Sequence, residues 1–318
     1  MKILYIGTPT FSDFMSDSLF HGLRSLMGED VVDGIKIDYM YNNFSSDDLN
    51  KFWGKGFTLT KKLKDLNIDR TDLETKIKTK YFDYVIYGAS FRSYALNFLQ
   101  LVASVYPPNR LVFVNGNDLD RNGLQPTLIN IPGIHFLRER LINDHTFPIT
   151  FSIPKEIIVD SVPEKKQNIM PLIPGVPKTY IYSDETSYFG AYQQSLFGLT
   201  WKKAGWDCLR HYEILSQGCL PLFLDIHHMP YTLMKTYPRD KAEKLLDLAI
   251  KINGYTKSMN FIYNKRRSIT NVNFSSIQFT DPNSYGYFDI ANEFLEHTKK
   301  FLTTEYQAGY VLGVLQAH

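Results

Sequence analysis

The chain has 318 residues, 44% of them hydrophobic and 21% charged, with a formal net charge of +2. These values exclude wholesale disorder, and the charge is too small to demand a nucleic-acid partner. Two cysteines, Cys208 and Cys219, are too few for a disulfide framework or a cysteine-based metal site, and they fit a reducing compartment, which here means the cytoplasm.

The length suffices for two domains, each burying its own core. The N-terminal run Met1-Lys-Ile-Leu-Tyr-Ile-Gly7 carries one lysine and no small-residue cleavage site, so it reads as a first strand, Ile3 to Ile6, rather than a leader peptide. A helix is then expected from Asp17 to Met27, a strand over Ile35 to Met40, a helix near Asp72 to Lys80, a strand over Tyr84 to Tyr87, a helix from Ser93 and a strand over Leu111 to Val114. Such alternation predicts an α/β lobe built on a parallel sheet wrapped by helices, with ligand-binding loops after Ile6, Tyr87 and Val114.

Prolines 154, 163, 171, 174 and 177 punctuate the next stretch and mark a boundary between domains. A second alternation follows: a strand over Thr179 to Tyr182, a helix around Tyr188 to Ser195, a strand over Leu196 to Leu199, a helix from Cys208 to Gln217 and a strand over Leu220 to Leu224. The expected architecture is two doubly wound α/β lobes with a cleft between them, residues 1–155 and residues 156–302; the resemblance to the GT-B fold set out below implies that a last helix within 303–318 crosses back to complete the first. No run reaches the roughly eighteen consecutive apolar residues of a membrane span, so a soluble protein is expected.

Chemistry concentrates in Trp206-Asp-Cys-Leu-Arg-His-Tyr-Glu-Ile-Leu-Ser-Gln-Gly-Cys-Leu-Pro-Leu-Phe-Leu-Asp225. Asp207 reads as an N-cap and Gly218 as the residue that ends the helix. Leu209, Tyr212 and Leu215 or Ser216 share the stripe toward the sheet, which leaves Arg210, Glu213 and Gln217 on the other. Arg210 would stand in the first turn, where the positive end of the helix dipole disfavours an unpaired cation and an anion reverses the sign. A diphosphate there is clamped by the guanidinium and by free backbone N–H groups, and Glu213, one turn on, can accept two hydrogen bonds from a ribose diol. His211 is close enough in sequence to reach a phosphate or to face solvent. The alternative for Arg210 and Glu213 is a plain i, i+3 surface ion pair.

The pattern Leu209-Arg210-x-x-Glu213, then a small-residue turn, a hydrophobic strand and Asp225, resembles the donor-binding helix of phage DNA glucosyltransferases, which have the two-lobed GT-B fold. The wider run from Ser195-Leu-Phe-Gly-Leu through Gly218-Cys-Leu-Pro221-Leu is similar to the donor lobe of exostosin-like glycosyltransferases. The resemblance implies a GT-B glycosyltransferase whose substrate is a nucleotide sugar, UDP-linked by expectation, with Arg210 on the diphosphate and Glu213 on the ribose. No other cofactor and no metal are expected. The implied acceptor is 5-hydroxymethylcytosine in double-stranded DNA, whose base must be flipped out to react.

In the first lobe, Leu111-Val-Phe-Val-Asn-Gly-Asn-Asp-Leu-Asp120 is a buried strand running into a polar turn. One aspartate there is the candidate general base that takes the acceptor proton, Asp118 first and Asp120 second; the placement is similar to that of the catalytic aspartate in the phage enzymes. The same residues spell Asp-x-Asp, which is too common by chance to imply a metal, and a solvated strand-to-helix turn is the plainer reading. Gly7, in Ile6-Gly-Thr-Pro-Thr10, is a glycine turn at the cleft edge and a donor-site candidate, but the three-glycine dinucleotide fingerprint is lacking. Val85 to Ser93 resembles a phosphate-contacting segment of the phage enzymes but falls in the other lobe, and is treated as coincidence. His227-His228 lacks a third ligand at useful spacing. Lys61, Lys62 and Lys64, Lys76, Lys78 and Lys80, and Lys265 with Arg266 and Arg267 are phosphate contacts if the acceptor is DNA, and solvated faces otherwise.

Competing functions are a glycan-, lipid- or protein-directed transferase with the same donor site, a sugar-nucleotide epimerase, and a binding protein without turnover. An epimerase would turn over sugar nucleotide alone; a binding protein would keep its affinity after Asp118→Asn and Asp120→Asn.

Overall fold

The computed structural model describes residues 1–45, 49, 52–92, 95–118, 131–139, 146–251, 264 and 281–318. The chain is α/β and divides into two compact units: Met1–Lys155 with Tyr231–Lys235 and Thr303–His318, and Glu156–Pro230 with Thr236–Leu302.

The first unit contains β1 (Ile3–Ile6), α1 (Phe14–Met27), β2 (Val31–Asp33), α2 (Leu73–Lys78), β3 (Tyr84–Tyr87), α3 (Leu99–Val105), β4 (Leu111–Asn115), β5 (Ile134–Leu137) and β6 (Thr146–Pro148). These strands form one parallel sheet in the order β2-β1-β3-β4-β5-β6. The winding reverses between β1 and β3, so the loops leaving their carboxyl ends lie where ligands bind in open α/β sheets. Strands β1, β3, β4 and β5 are buried along their whole length, as parallel strands covered on both faces require. Direct register partners stack across three of them: Tyr87 on Phe113 with centroids 5.3 Å apart, and Phe113 on His135 at 5.1 Å.

The C-terminal helix Thr304–Ala317 returns to this unit and lies on α1. The approach is so close that a Cβ on Gly22 would collide with the backbone carbonyl of Thr304, so only glycine fits there. His21 Nδ1 bonds Thr304 Oγ1 at 2.8 Å beside it, and the Tyr84 hydroxyl donates to the Leu315 carbonyl at 2.6 Å. Polar contacts thus fix the register of an otherwise apolar seam.

The second unit holds β7 (Gln167–Ile169), α4 (Glu185–Gln193), β8 (Ser195–Thr200), α5 (Leu209–Ser216), β9 (Leu220–Phe223), α6 (Arg239–Lys251) and α7 (Tyr287–Phe301). Its three strands are parallel and sequential, β7-β8-β9, so among the described residues this sheet is wound in one direction only. Gly198 lets α5 approach β8, since a Cβ there would stand 2.9 Å from Ile214. Lys165 closes the carboxyl ends of two helices, donating to the carbonyls of Gln193 at 2.9 Å and Gly218 at 2.6 Å; burial lowers its pKa.

Several expected boundaries move. Helix α1 begins at Phe14, a turn before Asp17, because Asp13 caps it by accepting from Ser16 N at 3.1 Å. The second strand is Val31–Asp33, while Asp38–Met40, inside the expected strand Ile35 to Met40, is a 3₁₀ turn. The helix expected from Ser93 is Leu99–Val105. Thr179 to Tyr182 is no strand: Pro177 fixes φ for a 3₁₀ turn over Pro177–Thr179. Strand β7 falls inside the proline-rich stretch.

Candidate functional site

Helix α5 is buried almost all round: Leu209, Tyr212, Leu215 and Ser216 are buried as their spacing predicts, but Glu213 and Gln217, on the stripe expected to face outward, are buried too, and of that stripe only Arg210 is partly exposed. Gly218 follows it at φ +61°, the left-handed conformation that ends helices. Its N-terminus differs from expectation. Cys208, not Asp207, is the N-cap, and it makes no side-chain capping bond. Asp207 is 2% exposed and accepts from the Tyr212 hydroxyl at 2.8 Å, so its carboxylate points inward, away from any ligand at the helix start. His211 also turns in. Its Nδ1 bonds Thr200 Oγ1 at 2.7 Å, its Nε2 meets the Trp206 carbonyl at 2.9 Å, and its ring stacks on Phe223, which removes both nitrogens from phosphate contact.

Arg210 and Glu213 occupy the opposite stripe, each held by a tyrosine. Arg210 Nη2 donates to the Tyr180 hydroxyl at 3.2 Å, and the guanidinium lies 5.5 Å from the centre of the Tyr180 ring. Its Nε is buried with no hydrogen-bond partner, and among the described residues Arg210 pairs with no carboxylate. The Tyr188 hydroxyl donates to Glu213 Oε2 at 2.7 Å. Burial, with the Glu213 charge beside it, holds the Tyr188 phenol well above its ordinary pKa, so the proton stays on the oxygen and the carboxylate is fixed as an acceptor. Asp225, at the end of the segment, receives the Lys202 amide on both oxygens, at 3.1 and 3.3 Å.

On the first unit's rim, Asp118 forms an ion pair with Arg138, whose side chain is 3% exposed. Arg138 also pairs with Glu139 at 3.3 Å, donates to the Gly116 carbonyl at 2.9 Å and lies over Phe151 at 4.7 Å. Asp118 and Glu139 both pair with this guanidinium, Asp118 being the more exposed of the two carboxylates. Asp120 lies outside the described residues. Gly7 has a packing role: a Cβ there would meet Ile37 Cδ1 at 2.7 Å and Ser16 Oγ at 3.3 Å. Arg92, in the loop after β3, pairs with Asp13 at 3.2 Å, tying that loop to the one after β1.

Asp17 is the rim's least anticipated group. It is buried beneath the loop after β1, accepts the Asp13 amide at 3.0 Å and stands 2.8 Å from the Tyr39 hydroxyl. That hydroxyl also faces the carbonyls of Thr8 at 3.1 Å and Phe11 at 3.0 Å, three acceptors around a single phenolic hydrogen. A proton on Asp17 resolves the conflict: the carboxyl donates to Tyr39, and Tyr39 to a carbonyl. Burial first, then the Asp13 charge, drive the Asp17 pKa in the same direction, well above 3.8. A raised folded-state pKa gives stability that is complete below the unfolded value and is lost as pH rises toward the folded one. Asp17→Asn, whose amide can donate to Tyr39 permanently, is therefore expected to gain stability relative to wild type as pH climbs from about 4 to 8. Urea midpoints measured in parallel across that range check it; a difference between the two proteins that is flat in pH would sink the neutral-acid assignment.

The remaining candidates are scattered. His227 Nε2 lies 3.2 Å from Asp247, and among the described residues no group of three or more His, Cys, Asp or Glu side chains is placed to hold a metal ion. Lys76 and Lys78 pair with Asp69 at 2.7 Å and Glu74 at 3.5 Å; Lys265, Arg266 and Arg267 lie outside the described residues. Among the described residues no helix is long and apolar enough to cross a membrane. No family model matches the chain, and no curated protein matches it either.

Proposed function

We propose that the chain is a glycosyltransferase of the GT-B type, which moves a sugar from a nucleoside diphosphate donor, UDP-linked by preference, to an acceptor hydroxyl. The observation that supports this reading is Arg210: a cation in the first turn of a helix, deprived of a carboxylate among the described residues, with a buried N–H to spare. Leaving a buried guanidinium donor unsatisfied is costly, and an anion docked at that helix start removes both the cost and the dipole penalty. Glu213, oriented by Tyr188, is suited to a ribose diol on the same stripe. Asp118 is the proposed base toward the acceptor, and the hydroxymethyl group of 5-hydroxymethylcytosine in duplex DNA is the first acceptor to try.

The direct test is incubation with labelled nucleotide sugars and two duplexes, one plain and one carrying 5-hydroxymethylcytosine, followed by mass spectrometry of the nucleosides. A sugar mass on the modified base alone supports a DNA transferase. Donor hydrolysis without transfer moves the acceptor to glycan, lipid or protein. Failure to bind any nucleotide sugar overturns the reading. Arg210→Ala is expected to weaken donor binding by about 1.5 kcal/mol or more, roughly tenfold in Kd; calorimetric titration with unchanged affinity would remove Arg210 from the donor site.

A further inference from the structure

Resting on that donor-site reading, we propose that the Gly175 amide and the Arg210 guanidinium form an anion seat which the Tyr180 hydroxyl fills, and that a diphosphate binds by displacing this hydroxyl. Two donors from separate segments converge on one oxygen: Gly175 N–H at 3.0 Å and Arg210 Nη2 at 3.2 Å. A backbone amide and a guanidinium aimed at a common point are the donors a phosphate oxygen takes. A neutral phenol is a weak partner for a guanidinium, and the Arg210 contact is at the long end of the hydrogen-bond range. It also leaves Arg210 Nε unpartnered, whereas a phosphate presents a second oxygen to that nitrogen in the bidentate manner.

The surrounding backbone suits a replaceable occupant. Gly175 adopts φ +79° at the surface, where a Cβ would touch nothing, so glycine is kept for its conformation. The turn from Gly175 to Tyr180 is stapled by Thr179, whose Oγ1 accepts from Ile173 N at 3.0 Å and donates to the Val176 carbonyl at 2.8 Å. The amide is thereby fixed, while the Tyr180 side chain at the end of the turn is half-buried and hinges on its own rotatable bonds. Tyr180 is thus a specificity element: a ligand must offer more to the two donors than a phenol does, which a diphosphate satisfies and a neutral sugar does not. Were the Tyr180 contact merely structural, losing the hydroxyl would leave two donors unsatisfied and bring no gain in binding.

The experiment is calorimetric titration of wild type, Tyr180→Phe and Arg210→Ala with inorganic pyrophosphate and with UDP at fixed ionic strength, after circular dichroism has shown each variant folded. Tyr180→Phe is expected to bind pyrophosphate about fivefold tighter than wild type or more, since the bonds from Gly175 N–H and Arg210 Nη2 to the hydroxyl no longer have to be broken, and Arg210→Ala roughly tenfold weaker. Equal or weaker binding by Tyr180→Phe, or no pyrophosphate binding by wild type and Tyr180→Phe, overturns the seat. If UDP binds but Tyr180→Phe brings no gain, the seat falls and the nucleotide-sugar reading stands. If the gain appears but UDP binds no better than pyrophosphate, the seat stands and the nucleotide-sugar reading falls.

Discussion

If Asp118 is the base of the proposed transferase, Asp118→Asn is expected to lower the transfer rate by about 10²- to 10⁴-fold, the usual worth of a positioned general base, while donor Kd changes by less than about twofold. The amide keeps the shape of the carboxylate and removes only its capacity to take a proton. The fold should tolerate the change because Arg138 retains Glu139 as a counter-charge at 3.3 Å and the Gly116 carbonyl as an acceptor. The pairing with Arg138 fixes the direction of the carboxylate, as a positioned base requires. A merely structural Asp118 predicts the reverse pattern, a shifted urea midpoint with kcat preserved. Steady-state kinetics on the modified duplex separate the two: kcat within about threefold of wild type removes Asp118 from the chemistry, and the same assay on Asp120→Asn then tests the second candidate.

The parts of this chain that sequence makes readable are those where one local pattern decides the outcome. Ile3 to Ile6, Tyr84 to Tyr87 and Leu111 to Val114 are short, wholly apolar runs ended by polar or turn residues, and they are β1, β3 and β4 to within a residue. The helix Leu209–Ser216 shows its inward stripe in its spacing and its end in Gly218. Where two local signals compete, reading fails. Asp207 and Cys208 both precede α5, and capping statistics favour the aspartate; the structure instead gives that carboxylate to Tyr212, a bond from within the same helix that N-cap preference ignores. Asp13 and Asp17 both suit the start of α1, and the structure makes the earlier one the cap, accepting from Ser16 N, while Asp17 is buried in the first turn. His211 looks available beside Arg210, but the hundred-degree turn between adjacent helical positions sends it toward β8 and β9. Partners distant in sequence were beyond reach altogether. Nothing local to Arg210 names Tyr180, thirty residues away, and nothing local to Asp118 names Arg138.

The same dependence on distant partners governs the largest expected stability effect. Asp33→Ala should cost about 3–5 kcal/mol, the usual penalty for removing one member of a buried ion pair and stranding the other. Asp33 ends β2, is fully buried, and gathers four partners: Arg24 Nη2 at 2.9 Å, Arg70 Nη2 at 2.6 Å, the Tyr41 hydroxyl at 2.8 Å and the Ile37 amide at 3.1 Å. In dinucleotide-binding sheets the acidic residue at this position is open to a ribose; here two arginines close it, so its work is to hold the structure together. Arg24 decides the magnitude. Its side chain is 2% exposed, its Nε and Nη1 have no hydrogen-bond partner, and it is held otherwise by the faces of Phe20 at 5.1 Å and Tyr41 at 5.7 Å. Without Asp33 that guanidinium keeps its charge and loses its counter-ion, whereas Arg70, 20% exposed, can turn to water. The expected order of destabilisation is therefore Asp33→Ala, then Arg24→Ala, then Arg70→Ala, and Arg24→Leu placed on Asp33→Ala should recover part of the loss, because an apolar side chain between two aromatic rings has no charge to strand. Urea denaturation at pH 7 with the slope held constant measures each difference. A loss below about 1 kcal/mol for Asp33→Ala, or no recovery in the double variant, would mean that Arg24 reaches solvent and that the network is far softer than its burial implies.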